Sequence, residues 1–122
     1  MSNLILSAKD KTRLDSGFST AFGGEAQRYF SAPGRTEIGG NHTDHQRGRV
    51  LAGAVNLDTV AAVRVSGTKG IRVQSKGYPL CQVDLDNLEP VAAEINSTPA
   101  LIRGVAARFA QLGCKVGGFD AY

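Results

Sequence analysis

Residues 32–48 read "APGRTEIGGNHTDHQRG", and this polar stretch is the most unusual part of the chain. It holds four glycines, two histidines, two arginines, one Glu and one Asp. Its apolar residues repeat with neither the period of a buried helix nor that of a strand. Glycines let the backbone bend closely around a ligand, on which short polar side chains can then converge. The stretch therefore predicts a binding loop.

Regular elements are predicted on both sides of this loop. A helix over residues 8–22 is indicated by apolar residues on one face, namely Leu14, Phe18, Ala21 and Phe22. Residues 26–32 suit a short strand, which Pro33-Gly34 is expected to break. Downstream of the loop, residues 50–65 are rich in Val, Leu and Ala and end in a strand-like run.

Three more strands are predicted towards the end of the chain. Gly67 and Gly70 bracket an expected hairpin turn, after which residues 71–75 return as the partner of the preceding strand. Residues 80–86, "LCQVDLD", alternate as a strand with one solvent-exposed face does. The closing "GGFDAY" reads as the beginning of a strand, which we expect to be unpaired at its end.

The best-marked element is a helix that Thr98 caps, Pro99 begins and Gly113 ends. A shorter helical turn precedes it at residues 90–96. The single apolar stripe of the longer helix consists of Leu101, Ile102, Val105, Phe109 and Leu112. Because strands come first and helices afterwards, we predict an α+β fold with a mixed, partly antiparallel sheet and helices on one face.

Composition limits the kind of protein this is. The 122 residues suffice for one modest domain, and because they stop where a strand begins we expect residues 1–122 to be a truncated domain without a complete second one. The net charge of +3 is spread along the chain, so we expect no nucleic-acid partner. No apolar run reaches membrane length, so we expect no membrane partner. Cys81 and Cys114 lack paired spacing, which favours a reduced, cytoplasmic setting.

Three kinds of ligand fit the glycine-rich stretch. His42, Asp44 and His45 suit zinc, but a tetrahedral site needs further ligands, so we predict no metal. Arg35 and the glycines suit phosphate, but both standard phosphate-loop patterns are absent. Sugar hydroxyls donate and accept, so they need carboxylates and amides mixed with donors. That mixture is supplied by Arg35, Glu37, Asn41, His42, Asp44 and His45.

Residues 32–59 resemble the sugar-binding signature of galactokinases, members of the GHMP family of small-molecule kinases. The usual form of that signature is Gly-Arg-Val-Asn-Leu-Ile-Gly-Glu-His-Thr-Asp-Tyr. The positions that align without gaps are Gly34, Arg35, Gly40, His42, Thr43 and Asp44. The flanking "FSTAFG" and "AVNLDTVAAV" also resemble a galactokinase amino-terminal region. The resemblance implies part of the amino-terminal lobe of the GHMP kinase fold, with the sugar signature at residues 32–48.

The resemblance also implies a role for each matching residue. Asp44 would accept hydrogen bonds from sugar hydroxyls, and Asn41 and His42 would be further sugar contacts. Arg35 would be catalytic, because it would stabilise charge on the phosphoryl group as it moves from ATP to the C1 hydroxyl of galactose.

ATP and Mg²⁺ are implied as cofactors of the full-length protein. The family's serine-rich nucleotide loop and its catalytic Asp have no counterpart among the 122 residues. The ATP-binding residues are therefore unknown, and we expect this chain alone to bind ATP weakly and to be inactive.

Three departures from the usual signature leave alternatives open. Asn41 stands where the family usually has Glu, His45 where it has Tyr, and Thr36-Glu37 where it has Val-Asn. The first alternative is a kinase for a related sugar. The second is a galactokinase-like sensor that binds sugar and ATP without kinase activity. Glu37 and Arg47 are themselves interpreted as solvated loop charges.

Overall fold

The computed structural model describes residues 6–40 and 48–122. In chain order the elements are α1 (Ala8–Phe22), β1 (Arg28–Gly39), β2 (Leu51–Val65), β3 (Gly70–Val73), β4 (Cys81–Asp84), α2 (Thr98–Gln111) and β5 (Phe119–Ala121). A single 3-10 turn at Ala92–Glu94 precedes α2, where the sequence predicts a short helical turn. No helix among the described residues is long and apolar enough to cross a membrane.

The five strands form one sheet in the order β1-β2-β5-β3-β4. β3 and β5 run parallel, whereas the other neighbouring pairs are antiparallel. α1 packs against β2, and α2 packs against β4 at the far edge of the sheet. The predicted α+β class with a mixed, partly antiparallel sheet is confirmed.

Helix α1 has the bounds that the sequence predicts. The Ser7 hydroxyl accepts a hydrogen bond from the Asp10 amide at 3.1 Å, which satisfies one free donor of the first turn. Gly23 ends the helix at a φ of 69°, a conformation that a residue with a Cβ adopts at a cost. Leu14 and Phe18 are buried together with Ala62 of β2, and they form the core between α1 and the sheet.

Strand β1 does not stop at Pro33-Gly34, as the sequence predicts, but continues to Gly39. The pairing with β2 shifts register between Pro33 and Arg35, so a bulge absorbs the proline. β1 is an edge strand, so some of its backbone N–H groups have no neighbouring strand to donate to. Proline, which has no N–H group, is tolerated in such a strand. The expected break is therefore an irregularity within one long strand.

The predicted hairpin between β2 and β3 is wrong. β5 lies between these strands, pairing antiparallel with β2 and parallel with β3. A Cβ at Gly118 would overlap the carbonyl oxygens of Thr68 and Gly70, so this glycine lets β5 enter beside the turn. The expectation that the last strand lacks a partner is wrong for the same reason, because β5 is the central strand of the sheet.

A buried ion cluster joins the three central strands. Asp120 of β5 is 1% exposed and accepts hydrogen bonds from Arg64 of β2 at 2.9 Å and from Arg72 of β3 at 2.7 Å. The Arg72 guanidinium, followed by that of Arg64, lowers the pKa of the Asp120 carboxyl, although burial opposes them. Arg64 also donates to the carbonyl oxygen of Gly23 at 2.7 Å, which ties the end of α1 to the sheet.

Helix α2 begins at Thr98, so its cap is Ser97 rather than Thr98; the predicted ending near Gly113 is confirmed. Its apolar stripe does not form a core in this structure, in contrast to the usual role of such a stripe. Its exposed members are Leu101, Val105, Phe109 and Leu112. The buried residues of α2 are Arg103, which forms an ion pair with Glu94 at 2.7 Å, and Ala106.

Candidate functional site

Strands β1 and β2 form a long antiparallel ribbon, and residues 32–39 of the predicted binding loop belong to β1 rather than to a loop. Their pairing runs from Arg28 opposite Val63 to Gly39 opposite Leu51. β5 borders β2 only along residues 63–65. Along residues 35–39 and 51–54, the part of the chain that the structure describes has no third strand beside the ribbon. Residues 35–39 of the glycine-rich stretch therefore lie on the part of the ribbon away from the core.

Gly40 has a tightly constrained place where β1 ends and the loop begins. Its φ is 85°, in the left-handed region that disfavours residues with a Cβ. A Cβ at this position would also overlap the carbonyl oxygen of Arg49, on the returning side of the ribbon. Both facts require glycine here, which gives a physical reason for one of the six matching signature positions.

The predicted sugar contacts Asn41, His42 and Asp44 lie outside the described residues, as does His45. Their assignment as substrate-binding residues therefore stays a prediction. The predicted catalytic residue, Arg35, lies within β1 on the outer part of the ribbon.

The permanently charged guanidinium of Arg35 is exposed to solvent. Its side chain is 74% exposed, and its Nη2 atom lies 3.2 Å from Oε1 of Glu37, whose side chain is 27% exposed. The two residues are two apart on one strand, so they share a face. Opposite them on β2 stand Ala54 and Ala52, which are too short to cover either charge. A ligand on this face could reach both charged groups.

The interpretation of Glu37 as a loop charge is wrong, although the residue is exposed as expected. Glu37 belongs to β1 and is paired with Arg35, although the loop charge Arg47 lies outside the described residues. The signal was present in the sequence as the i, i+2 spacing of opposite charges, which shares a face only in a strand. That signal was missed because the strand was expected to end at Pro33-Gly34.

The described part of the chain offers no alternative metal site. No group of three or more His, Cys, Asp or Glu residues within residues 6–40 and 48–122 could hold a metal ion. The cluster of His42, Asp44 and His45 lies outside these ranges, so the expectation of no metal stays a prediction.

A depression at the base of the ribbon, of about 530 Å³, is mostly apolar. It is lined by Gln27, Arg28, Phe30, Val63, Val65 and Phe119. Arg35 is not among these residues. The groups suited to a polar ligand therefore stand on the outer ribbon rather than in this depression.

The first half of the chain is similar in sequence to known proteins. The galactokinase galactose-binding signature matches residues 16–65, from within α1 to the end of β2. A galactokinase of Lacticaseibacillus casei (strain BL23) is 37% identical over 70 residues, which are 57% of this chain and 18% of that protein. A galactokinase of Streptococcus mutans serotype c is 36% identical over 81 residues, which are 64% of this chain and 21% of that protein.

The fold has a similar match among solved structures. The crystal structure of Lactococcus lactis galactokinase complexed with galactose superimposes with a TM-score of 0.76 at 25% identity. The match covers 91% of this chain and 29% of that one. The chain spans about a fifth of the length of the curated relatives that it matches.

Proposed function

We propose that this chain, which carries the galactose-binding signature of galactokinases and matches a galactokinase in fold over 91% of its length, is the sugar-recognising amino-terminal part of such an enzyme. The enzyme would transfer the γ-phosphoryl group of ATP to the C1 hydroxyl of galactose. The signature match, which spans the ribbon with Arg35 on its open face, is the observation that carries the proposal.

The residues divide the work of recognition and chemistry. Asp44 accepts hydrogen bonds from sugar hydroxyls, and Asn41 and His42 complete the polar contacts around the ring. Arg35 lies beside the reacting hydroxyl and stabilises the charge that develops on the phosphoryl group. A guanidinium suits this role because it is always charged and presents several donors in one plane. Its exposure on the outer ribbon leaves it accessible to a ligand of that kind.

Phosphoryl transfer depends mainly on positioning and electrostatic stabilisation. In this proposal the described chain orients the sugar, whereas residues of the full-length enzyme outside it supply the nucleotide site, Mg²⁺ and the catalytic base. The chain alone would bind galactose without phosphorylating it. Its cysteines, Cys81 and Cys114, are both free, which suits the cytoplasmic setting we propose for the enzyme.

A binding experiment on the chain tests the sugar site. Galactose titration followed by NMR should show saturable binding. Asp44→Ala should weaken it by about tenfold to over a hundredfold, because a charged hydrogen-bond partner is lost. Asp86→Ala is the matched control, since Asp86 pairs with Lys69 on the surface far along the chain. A wild-type chain that fails to bind galactose, or Asp44→Ala with unchanged affinity, would contradict the proposal.

Steady-state kinetics of the full-length enzyme separate the two roles. Asp44→Ala should raise the galactose KM and leave the ATP KM nearly unchanged. Arg35→Ala should lower kcat more than it raises the galactose KM, because its charge matters most in the transition state. An Asp44→Ala enzyme whose ATP KM alone rises would show that the sugar-site assignment is wrong.

A second candidate, a kinase for a related sugar, is favoured by the departures at Asn41 and His45. Replacing a carboxylate with an amide keeps an acceptor and adds a donor, which changes the hydroxyl pattern the site prefers. A panel of galactose, its epimers and its deoxy and amino derivatives, titrated into the same chain, distinguishes the two. A derivative bound more tightly than galactose would favour the second candidate.

A further inference from the structure

Two departures from the usual signature exchange the same pair of residue types. The usual form has Asn at position 37 and Glu at position 41, whereas this chain has Glu37 and Asn41. The carboxylate has therefore moved four residues towards the start of β1, and the net charge of the signature is unchanged by this exchange. The structure shows what the relocated carboxylate contacts.

Glu37 lies beside Arg35, the signature residue for which we propose a catalytic role. Its Oε1 accepts a hydrogen bond from Nη2 of Arg35 at 3.2 Å. Among the described residues, each of these side chains has only the other as a polar partner. The pair stands over Ala52 and Ala54 on the open face of the ribbon. A ligand that reaches Arg35 on this face therefore also meets Glu37.

We propose that Glu37 is a positioning residue for Arg35: its carboxylate holds the guanidinium in place on the ribbon face for the incoming sugar. The inference rests on the proposed function. A long arginine side chain that is 74% exposed samples many rotamers unless a partner restricts it. Glu37 supplies that restriction from the adjacent position on the same face, where the usual signature has an uncharged amide.

The test uses the whole chain with three substitutions of Glu residues. Glu37→Gln keeps the shape and removes the charge, Glu37→Asp keeps the charge on a shorter arm, and Glu25→Gln neutralises an exposed carboxylate elsewhere. One readout is the Nε–Hε resonance of Arg35 at neutral pH, identified by its loss in Arg35→Lys. The other is kcat of the full-length enzyme carrying the same substitutions, with the galactose dissociation constant measured beside it.

We expect Glu37→Gln to move the Arg35 resonance, to speed its hydrogen exchange, and to lower kcat by about twofold to fivefold, the range for an exposed ion pair, with a smaller change in galactose affinity. Glu37→Asp should restore part of both effects, and Glu25→Gln should change neither. An unchanged unfolding midpoint in Glu37→Gln would show that the effect is local.

The outcomes separate this inference from the function it rests on. If Asp44→Ala weakens galactose binding as expected but Glu37→Gln leaves kcat or the Arg35 resonance unchanged, Glu37 is an ordinary surface charge and the inference is overturned alone. If the wild-type chain binds no galactose, the proposed function is contradicted and the inference falls with it.

Discussion

The two ends of the β1–β2 ribbon are built from the same pair of strands but have opposite surroundings. The inner part pairs residues 28–33 with residues 58–63, and it has α1 above it and β5 beside it. The outer part pairs residues 35–39 with residues 51–54, and no strand of residues 6–40 or 48–122 lies beside it as a third strand. The bulge between Pro33 and Arg35 separates them. The inner part is positioned to stabilise the fold, and the outer part is free to contact a ligand.

Side-chain burial follows this division. Tyr29 and Val60 of the inner part pack against the core cluster around Phe18. On the outer part even large apolar residues are open to solvent, with Ile38 69% exposed and Leu51 62% exposed. Polar and charged groups can therefore be changed on the outer part without a cost in core packing. The difference predicts which substitutions alter stability and which alter binding.

The largest effect should come from the core beneath the inner part. Phe18 is fully buried, so Phe18→Ala should lower the free energy of unfolding by about 3–5 kcal/mol through lost burial and a cavity. Ile38→Ala on the outer part is the control and should change it by less than about 0.5 kcal/mol. Urea unfolding followed by circular dichroism measures both. Equal losses in the two variants would contradict the division of the ribbon.

The second effect concerns the buried Asp120. Asp120→Asn should cost about 2–3 kcal/mol at pH 7, because Arg64 and Arg72 lose their charged partner but stay partly exposed to water. The folded-state pKa of Asp120 is lowered. Its contribution is therefore fully present above the unfolded-state pKa of about 3.9 and is lost as pH falls through the folded-state value.

The difference between wild type and Asp120→Asn in urea unfolding should accordingly be constant near neutral pH and shrink below about pH 4. Asp86→Asn, an exposed partner of Lys69, is the control. A difference that stays constant into strong acid would show that the Asp120 charge is not what stabilises the sheet.

The third effect on stability is expected from glycine substitutions at the outer end of the ribbon. Gly40→Ala should cost at least about 1–2 kcal/mol, because its φ is positive and the added Cβ would overlap the Arg49 carbonyl. Gly39→Ala, whose Cβ would meet no atom within 4 Å, should be neutral or slightly stabilising. Thermal unfolding and galactose titration of both variants test this. If Gly40→Ala left both the stability and galactose binding unchanged, the steric constraint at Gly40 would be contradicted.

The smallest effect is expected on α2. Leu101 is 70% exposed, so Leu101→Ala should change the free energy of unfolding by less than about 0.5 kcal/mol. Leu14→Ala in the core should cost about 2–5 kcal/mol. If Leu101→Ala proved as costly as Leu14→Ala, the stripe of α2 would be packed in solution after all.

Local sequence patterns predicted where the helices and strands lie better than they predicted which strands pair and which helix face is buried. The bounds of α1 were right because its periodicity and its glycine stop lie within the helix itself. β5 was recognised as a strand, but its place between β2 and β3 depends on contacts between residues 48 to 58 positions apart, which no local pattern carries. The stripe of α2 is present in the sequence as predicted, but the face that turns inward carries Arg103, which pairs with Glu94, and Ala106.

The candidate site divides in the same way. The signature from Gly34 to Asp44 could be found in the sequence because its residues are contiguous. The pairing of Arg35 with Glu37 could not, because it depends on β1 continuing past Pro33-Gly34 as a strand. The chemistry of proline alone predicts that the strand ends here. Whether a bulge lets the strand continue instead depends on its pairing with β2, which the local sequence does not show.

The central place of β5 has a consequence for the order of assembly. It is the last of the five strands in the chain, yet it separates the β1–β2 ribbon from the β3–β4 pair. During synthesis these two hairpins form from local contacts and must stay unjoined until residues 119–121 leave the ribosome. Closure over such long sequence separations is slow. In the interval β2 and β3 both carry open edges, which makes them the strands on which a chaperone would act.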